Sequence, residues 1–359
     1  MIGLLRKSSL SFSFANRAST RFFTMSLPSR MKYVAYDDQG TLSVEDDAPT
    51  PSPGAGQLLV KVSASGVNRL DLMQRKGTYP VPAGESKILG VEVSGTVVSV
   101  GENSSCSQFQ PGDRVCALVG GGGYAEYCVT PVETTIKLND EVSFVDGAAI
   151  PEAFLTAYGG LYFSCNLTQG ESVMIHAAGS GVGTAAIQLA KSLSGSSAIF
   201  ATAGSQEKLD LCTKLGATHT INYKEADFSD AVLATTGNRG VDVIMDFVGG
   251  SYWEKNLRSI ALDGRIVSLG LLGGPKTAEP LNMGTVLRKR VTLTGSTLRS
   301  RSLPYKARLA TEFQQNAMPL FAAGQVKPIV DSVFSIGEAT AAHDRMSSNK
   351  NIGKIILTF

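Results

Sequence analysis

Between residues 172 and 270, short apolar runs alternate with stretches in which apolar residues recur every three or four positions. Residues 172–176 form the first run, with the Val and Ile content of a strand buried on both faces. It breaks into Ala177-Ala178-Gly179-Ser180-Gly181-Val182-Gly183, after which Ile187, Leu189, Ala190 and Leu193 fall at the spacing of a helix packed on a sheet. Further strand-like runs follow at 198–203, 241–247 and 264–270. Repeated strand–turn–helix units predict an α/β fold with a doubly wound parallel sheet. Before residue 150 the pattern differs. Runs at 58–62, 91–100 and 114–119 are separated by turn signals such as Gly101 and Pro111-Gly112-Asp113, which predicts a smaller β-rich domain. Gly120-Gly121-Gly122-Gly123 is either a loop between strands or a gate on a substrate site.

The first unit carries chemistry as well as pattern. A strand that ends in a glycine-rich turn and opens into a helix is the start of a dinucleotide site. The helix N-terminus favours a pyrophosphate, and the glycines let backbone approach it. Gly179, Ser180, Gly181, Val182 and Gly183 are the candidate contacts, although Thr184 breaks the strict G-x-G-x-x-G spacing. The second run ends in Gly204 and Ser205, where a site for NAD carries an acid for the ribose hydroxyl. With Lys208 close behind, the expectation is NADPH; the alternative for Lys208 is a solvated residue on the first turn of a helix. Gly270, which ends the fourth run, is counted among the cofactor contacts.

Composition narrows the reading. A length of 359 residues suits two domains with separate cores. A net charge of +2 gives no reason to expect a nucleic acid as partner, and no apolar run approaches the roughly 20 residues of a membrane span. Five scattered cysteines point to free thiols in a reducing compartment. Residues 1–30 contain Arg6, Lys7, Arg17, Arg21 and Arg30, many serines and no acid, the make-up of an organellar leader. The expectation is a mitochondrial address, with Met25 or Met31 as internal starts for a cytosolic form; a disordered tail is the alternative.

The segments NRLDLMQRKGTYPVPAG, ILGVEVSGTVVSVG, QPGDRVCALVGGGGYAEY, AAIPEAFLTAYGGL, GVGTAAIQLAK, GGSYWEKN and NKNIGKI together resemble the quinone oxidoreductase family of zinc-independent medium-chain dehydrogenases/reductases, most closely its p53-inducible subgroup. The resemblance spans residues 31–359. It implies a GroES-like catalytic domain (31–155), a Rossmann domain binding NADPH (156–297) and a C-terminal segment (298–359) that returns to the first domain. It also implies reduction of a quinone, usually by a homodimer. Zinc-dependent relatives use a Gly-His-Glu, where this chain reads Gly90-Val91-Glu92, and a cysteine ligand where it reads Val67-Asn68-Arg69; no metal is expected.

By the same resemblance Asn68 and Asp71 line the catalytic cleft and Tyr79 stands beside the substrate. Asn68 could donate to a carbonyl, and Asp71 would hold its neighbours rather than act as an acid. Taken without the resemblance, Asn68 could equally be a turn residue and Tyr79 a pre-proline loop aromatic packed on the surface. Tyr223 is implied to contact the adenosine phosphate with Lys208, and Asn351 to lie near the cofactor. His343 reads as structural. A 2-alkenal or enone reductase needs the same cofactor and the same metal-free cleft. A non-enzymatic NADPH-binding regulatory protein is the remaining class, although no basic–aromatic patch supports RNA binding.

Overall fold

The apolar runs fold into two large sheets that share one long cleft. The computed structural model describes residues 27–102, 104–277 and 280–359. The leader reading therefore rests mainly on residues outside those described. In chain order, β1 (Arg30–Tyr36) and β2 (Leu42–Pro49) form an antiparallel pair. Then come β3 (Gln57–Val67), α1 (Arg69–Arg75), β4 (Glu92–Val100), β5 (Arg114–Leu118), β6 (Tyr127–Pro131), β7 (Thr135–Lys137), α2 (Phe144–Ala148) and α3 (Pro151–Tyr158). The middle of the chain contributes β8 (Val173–Ile175), α4 (Gly181–Ser194), β9 (Ile199–Ala203), α5 (Gln206–Leu215), β10 (His219–Asn222), α6 (Phe228–Thr235) and β11 (Val241–Asp246). It continues through α7 (Trp253–Ser259), β12 (Ile260–Ser268), α8 (Met283–Lys289) and β13 (Thr292–Gly295). The chain ends in α9 (Leu303–Asn316), α10 (Met318–Ala322), β14 (Val330–Ser335), α11 (Ala339–Ser347) and β15 (Lys354–Thr358).

Strands β8 to β13 form an all-parallel sheet in the order β10-β9-β8-β11-β12-β13. The order reverses between β8 and β11, so the crevice at the carboxyl ends of these strands is where a Rossmann sheet takes its ligand. Ile187, Leu189 and Ala190 of α4 are fully buried in one cluster with Val173, Ile175 and Ala201 of the strands. Each such aliphatic contributes roughly 1.5–3 kcal/mol of burial free energy. Ser180 caps α4 by accepting from the Gly183 amide, and Gly195, at φ 50°, ends it.

The other sheet, largely antiparallel, runs β14-β15-β3-β4-β5-β7, with β6 also on β3, and is the GroES-like part. Its last two strands in sequence, β14 and β15, join beside β3, so residues 355–358 pair with residues 64–67. The Gly120–Gly123 run is close-packed: Gly122, Gly123 and Tyr124 donate to the carbonyls of Ile88, Gly90 and Leu89. Among the described residues, no helix is long and apolar enough to cross a membrane.

Candidate active site

Sequence places the glycine turn directly after β8, and the fold carries it to the crevice beside the end of β15. There Gly353 donates from its amide to the Gly179 carbonyl at 2.8 Å. The turn is tight. A Cβ at Gly183 would come within 2.6 Å of the Ala178 Cα, so only glycine keeps the backbone path. Ala177 holds a left-handed φ of 46°, a strained choice for a non-glycine residue that recurs at ligand sites. The cleft has a volume of about 1480 Å³ and runs from this turn to the β-rich domain.

Of the residues read from sequence, Asn68, Tyr79, Gly179, Ser180, Gly181, Val182, Gly204, Lys208, Tyr223, Gly270 and Asn351 line that one cleft. Gly183 lies behind the turn and shapes it, and Ser205 sits at the N-cap of α5, off the lining. Lys208, Tyr223 and Lys224 gather at the end of β9: a Cβ at Gly204 would meet the Tyr223 hydroxyl at 2.6 Å and the Lys224 Cε at 3.1 Å. Half-burial lowers the Lys208 pKa, opposed by Asp331, and its Nζ donates to the Asn349 carbonyl at 2.7 Å. Lys224 was not singled out by the sequence. Asn351 is buried and donates its amide to the Gly353 carbonyl at 2.9 Å.

Asp71, expected along the cleft, lies beneath it. Fully buried, it accepts from the Asn68 amide at 2.8 Å and the Gly90 amide at 3.0 Å. Burial pushes its pKa to about 6, against those two hydrogen bonds. It positions the start of α1 and does not reach the cleft. Asn68 does line the cleft, but its amide hydrogens are taken, by Glu92 Oε1 at 2.8 Å and the Gly66 carbonyl at 3.2 Å. As placed, it has no donor left for a substrate carbonyl.

Asn68 belongs to a buried cluster assembled from distant parts of the chain. Lys354 Nζ donates to Glu92 Oε1 at 2.5 Å, to Asn68 Oδ1 at 2.7 Å and to the Val67 carbonyl at 3.1 Å. Glu92 Oε2 accepts from the Glu152 amide at 2.8 Å. The Lys354 stem lies against the glycine turn, where a Cβ at Gly181 would come within 2.5 Å of its Cδ. At the acceptor end, the Nη1 of buried Arg299 donates to Gln74 Oε1 at 2.7 Å and its Nε to the Gly120 carbonyl at 2.8 Å. Its Nη2 has no partner, and its guanidinium lies 5.7 Å from the centre of the Tyr79 ring. Neither Arg299, Glu152 nor Lys354 was marked as a site residue by sequence, because no local spacing ties them to the glycine turn.

Two of the histidines are buried and hydrogen-bonded within the fold. His343 Nε2 meets the Tyr124 hydroxyl at 3.1 Å, and burial pulls its pKa to about 3. His176 sits between Thr202 and Asn256, its pKa pulled by burial to about 4.

Two family models match the chain: "Alcohol dehydrogenase GroES-like domain" over residues 54–140 and "Zinc-binding dehydrogenase" over 181–322. The rat (Rattus norvegicus) quinone oxidoreductase is 33% identical over 321 residues, covering 88% of this chain and 93% of that one. The chain belongs to the quinone oxidoreductase family of zinc-independent medium-chain dehydrogenases/reductases. Its fold is similar to that of a Pseudomonas syringae quinone oxidoreductase, with a TM-score of 0.78, 30% identity, and coverage of 92% and 99%. A mycobacterial protein solved as a complex with NADPH gives the same TM-score at 29% identity, over 92% and 100% of the two chains. A member of this family is an NAD(P)-dependent oxidoreductase acting on a small molecule. Despite the wording of the second family model, Val91 is buried and apolar, and the Lys354 ammonium lies on Glu92. Among the described residues, no three His, Cys, Asp or Glu side chains are grouped to hold a metal.

Proposed function

We propose that the protein reduces quinones with NADPH in this cleft, without a metal. The observation that carries the reading is buried Arg299, which lines the same cleft as the glycine turn and whose Nη2 has no partner. A carbonyl oxygen that gains charge is stabilised by such a pre-placed donor, and most strongly where water is excluded. The nucleotide end fits a dinucleotide with a phosphate on its adenosine ribose. The Gly183 cradle and the N-terminus of α4 suit a pyrophosphate. Lys224 and the Tyr223 hydroxyl lie against Gly204 and the Lys208 stem against Gly179, and small neutral Gly204 and Ser205 stand where an acid would repel a phosphate. When bound, the nicotinamide supplies the hydride. The chain's own groups then orient the acceptor (Tyr79 and Arg299) and cover it with apolar surface (Leu155, Leu271 and Leu309).

The test is steady-state oxidation of NADPH and NADH with a panel of ortho-quinones, para-quinones and 2-alkenals. Quinone turnover with NADPH preferred is expected. Turnover of alkenals alone would replace this reading with an enone reductase. NADPH binding with no turnover of any acceptor would favour a regulatory role.

We further propose a homodimer formed along β13. That strand is at the edge of the parallel sheet, and Leu293 on it, Leu262 on β12 and Met283 and Leu287 on α8 are exposed. An open edge beside a patch of large apolar side chains suits pairing with a second copy.

A further inference from the structure

We propose that the carboxyl group of Glu152 carries a proton and delivers it to the acceptor oxygen during reduction. The inference rests on the quinone-reductase reading above. Glu152 follows Pro151 in the first turn of α3, is about nine-tenths buried and lines the cleft. Its Oε2 has no hydrogen-bond partner.

The two ammonium groups acting on Glu152 are already committed. All three N–H bonds of Lys354 go to Glu92, Asn68 and the Val67 carbonyl, and the Lys306 ammonium donates to the Arg299 carbonyl at 2.7 Å. Glu92 on β4 and Asp71 on α1 add negative charge from the other elements around Glu152, while Lys354 on β15 and Lys306 on α9 add positive charge. Tyr79 approaches from the loop after α1. Three buried carboxyl groups thus share one directly bound ammonium, and a bare carboxylate without a partner is the costly member. Burial, then the Glu92 charge, push the Glu152 pKa to about 8, with Lys354 opposing. The group is therefore mostly protonated at neutral pH. Among the described residues none accepts a hydrogen from this carboxyl, and Glu152 lines the cleft, so an oxygen of a molecule there is placed to receive it.

The balance closes without another reagent. Reduction of the quinone uses one hydride equivalent, supplied by the dihydronicotinamide as it is oxidised, and leaves one quinone oxygen anionic. The O–H bond of Glu152 breaks, an O–H bond forms on that oxygen, and the neutral hydroquinone results. The Glu152 carboxylate then takes a proton from water.

The experiment compares the full chain with Glu152→Gln and Glu152→Asp. Difference infrared spectra of the ligand-free protein should show a protonated carboxyl band at pH 7. The band should be absent in Glu152→Gln and fade in wild type as the pH rises through about 8. With a soluble para-benzoquinone, wild-type kcat/KM should hold below about pH 8 and fall above it as the acid is lost. Glu152→Gln should be slower by about a hundredfold at pH 7 and lack that limb. Glu152→Asp should keep the limb at a reduced rate, and NADPH affinity by fluorescence titration should match wild type in both. Absence of the band at pH 7, or a Glu152→Gln enzyme that keeps the wild-type rate and limb, overturns the proton delivery alone. A wild type that turns over no quinone overturns the reading beneath it, and the delivery with it.

Discussion

Replacing Lys354 with Met keeps the length of a side chain whose stem is packed against Gly181 and removes only its charge and donors. At the 2.5 Å separation from Glu92 Oε1, the pair's gross attraction is roughly 7 kcal/mol at an effective dielectric of 20. Much of that is offset because the ammonium no longer has to be desolvated. What remains is a fully buried Glu92 carboxylate facing the Asn68 and Glu152 amides without a counter-charge. Breaking a buried pair in this way costs roughly 3–5 kcal/mol. The double variant Glu92→Gln/Lys354→Met removes both charges, and its stability should return most of the way to wild type. Urea unfolding of wild type, both single variants and the double variant completes the cycle. A coupling of about 2 kcal/mol or more is expected between groups in direct contact. A Lys354→Met loss below about 1 kcal/mol, the value of an exposed pair, refutes the argument. So does a double variant no more stable than the single one.

Two further predictions concern the nucleotide and the assembly. Lys208→Ala should weaken NADPH binding by about tenfold to a hundredfold, from the roughly 1.5–3 kcal/mol of a charge-assisted hydrogen bond, and leave NADH nearly unchanged. An unchanged kcat/KM ratio for the two cofactors would place the phosphate elsewhere. Adding Ser205→Asp should tip the ratio towards NADH. Ser205 is the better place for the acid, because a side chain at Gly204 would strike the Tyr223 hydroxyl. Wild type should sediment as a dimer, and Leu287→Glu, at a position 78% exposed on α8, as a monomer. A monomeric wild type at micromolar concentration would remove the β13 seam from consideration.

The nucleotide half was legible along the chain because its chemistry is local. The run 172–176, the glycine turn and the apolar spacing of α4 fall within about two dozen residues, and each is a backbone-level demand. The parallel strand needs apolar residues, and Gly183 needs the absence of a Cβ where the chain passes Ala178. The missing acid after β9 was equally readable, since one position decides it.

The acceptor half was not legible, because its parts meet only through topology. Lys354 finds Glu92 across 262 positions, and Arg299 finds Gln74 across 225, when β15 pairs with β3 and the segment before α9 folds back on the β-rich domain. The roles changed with the contacts. Asn68 looked like a donor to substrate until Glu92 and Gly66 took its hydrogens, and Asp71 looked like a cleft residue until burial put it beneath the cleft. Glu152 is an ordinary first-turn acid in the sequence. Only desolvation beside Glu92, with Lys354 already engaged, makes its carboxyl hold a proton near neutrality. Propensity and spacing determine backbone paths and local caps. Which buried charges share a counter-ion is decided by packing, because the energy of a charge depends on every group around it, however far away in the chain.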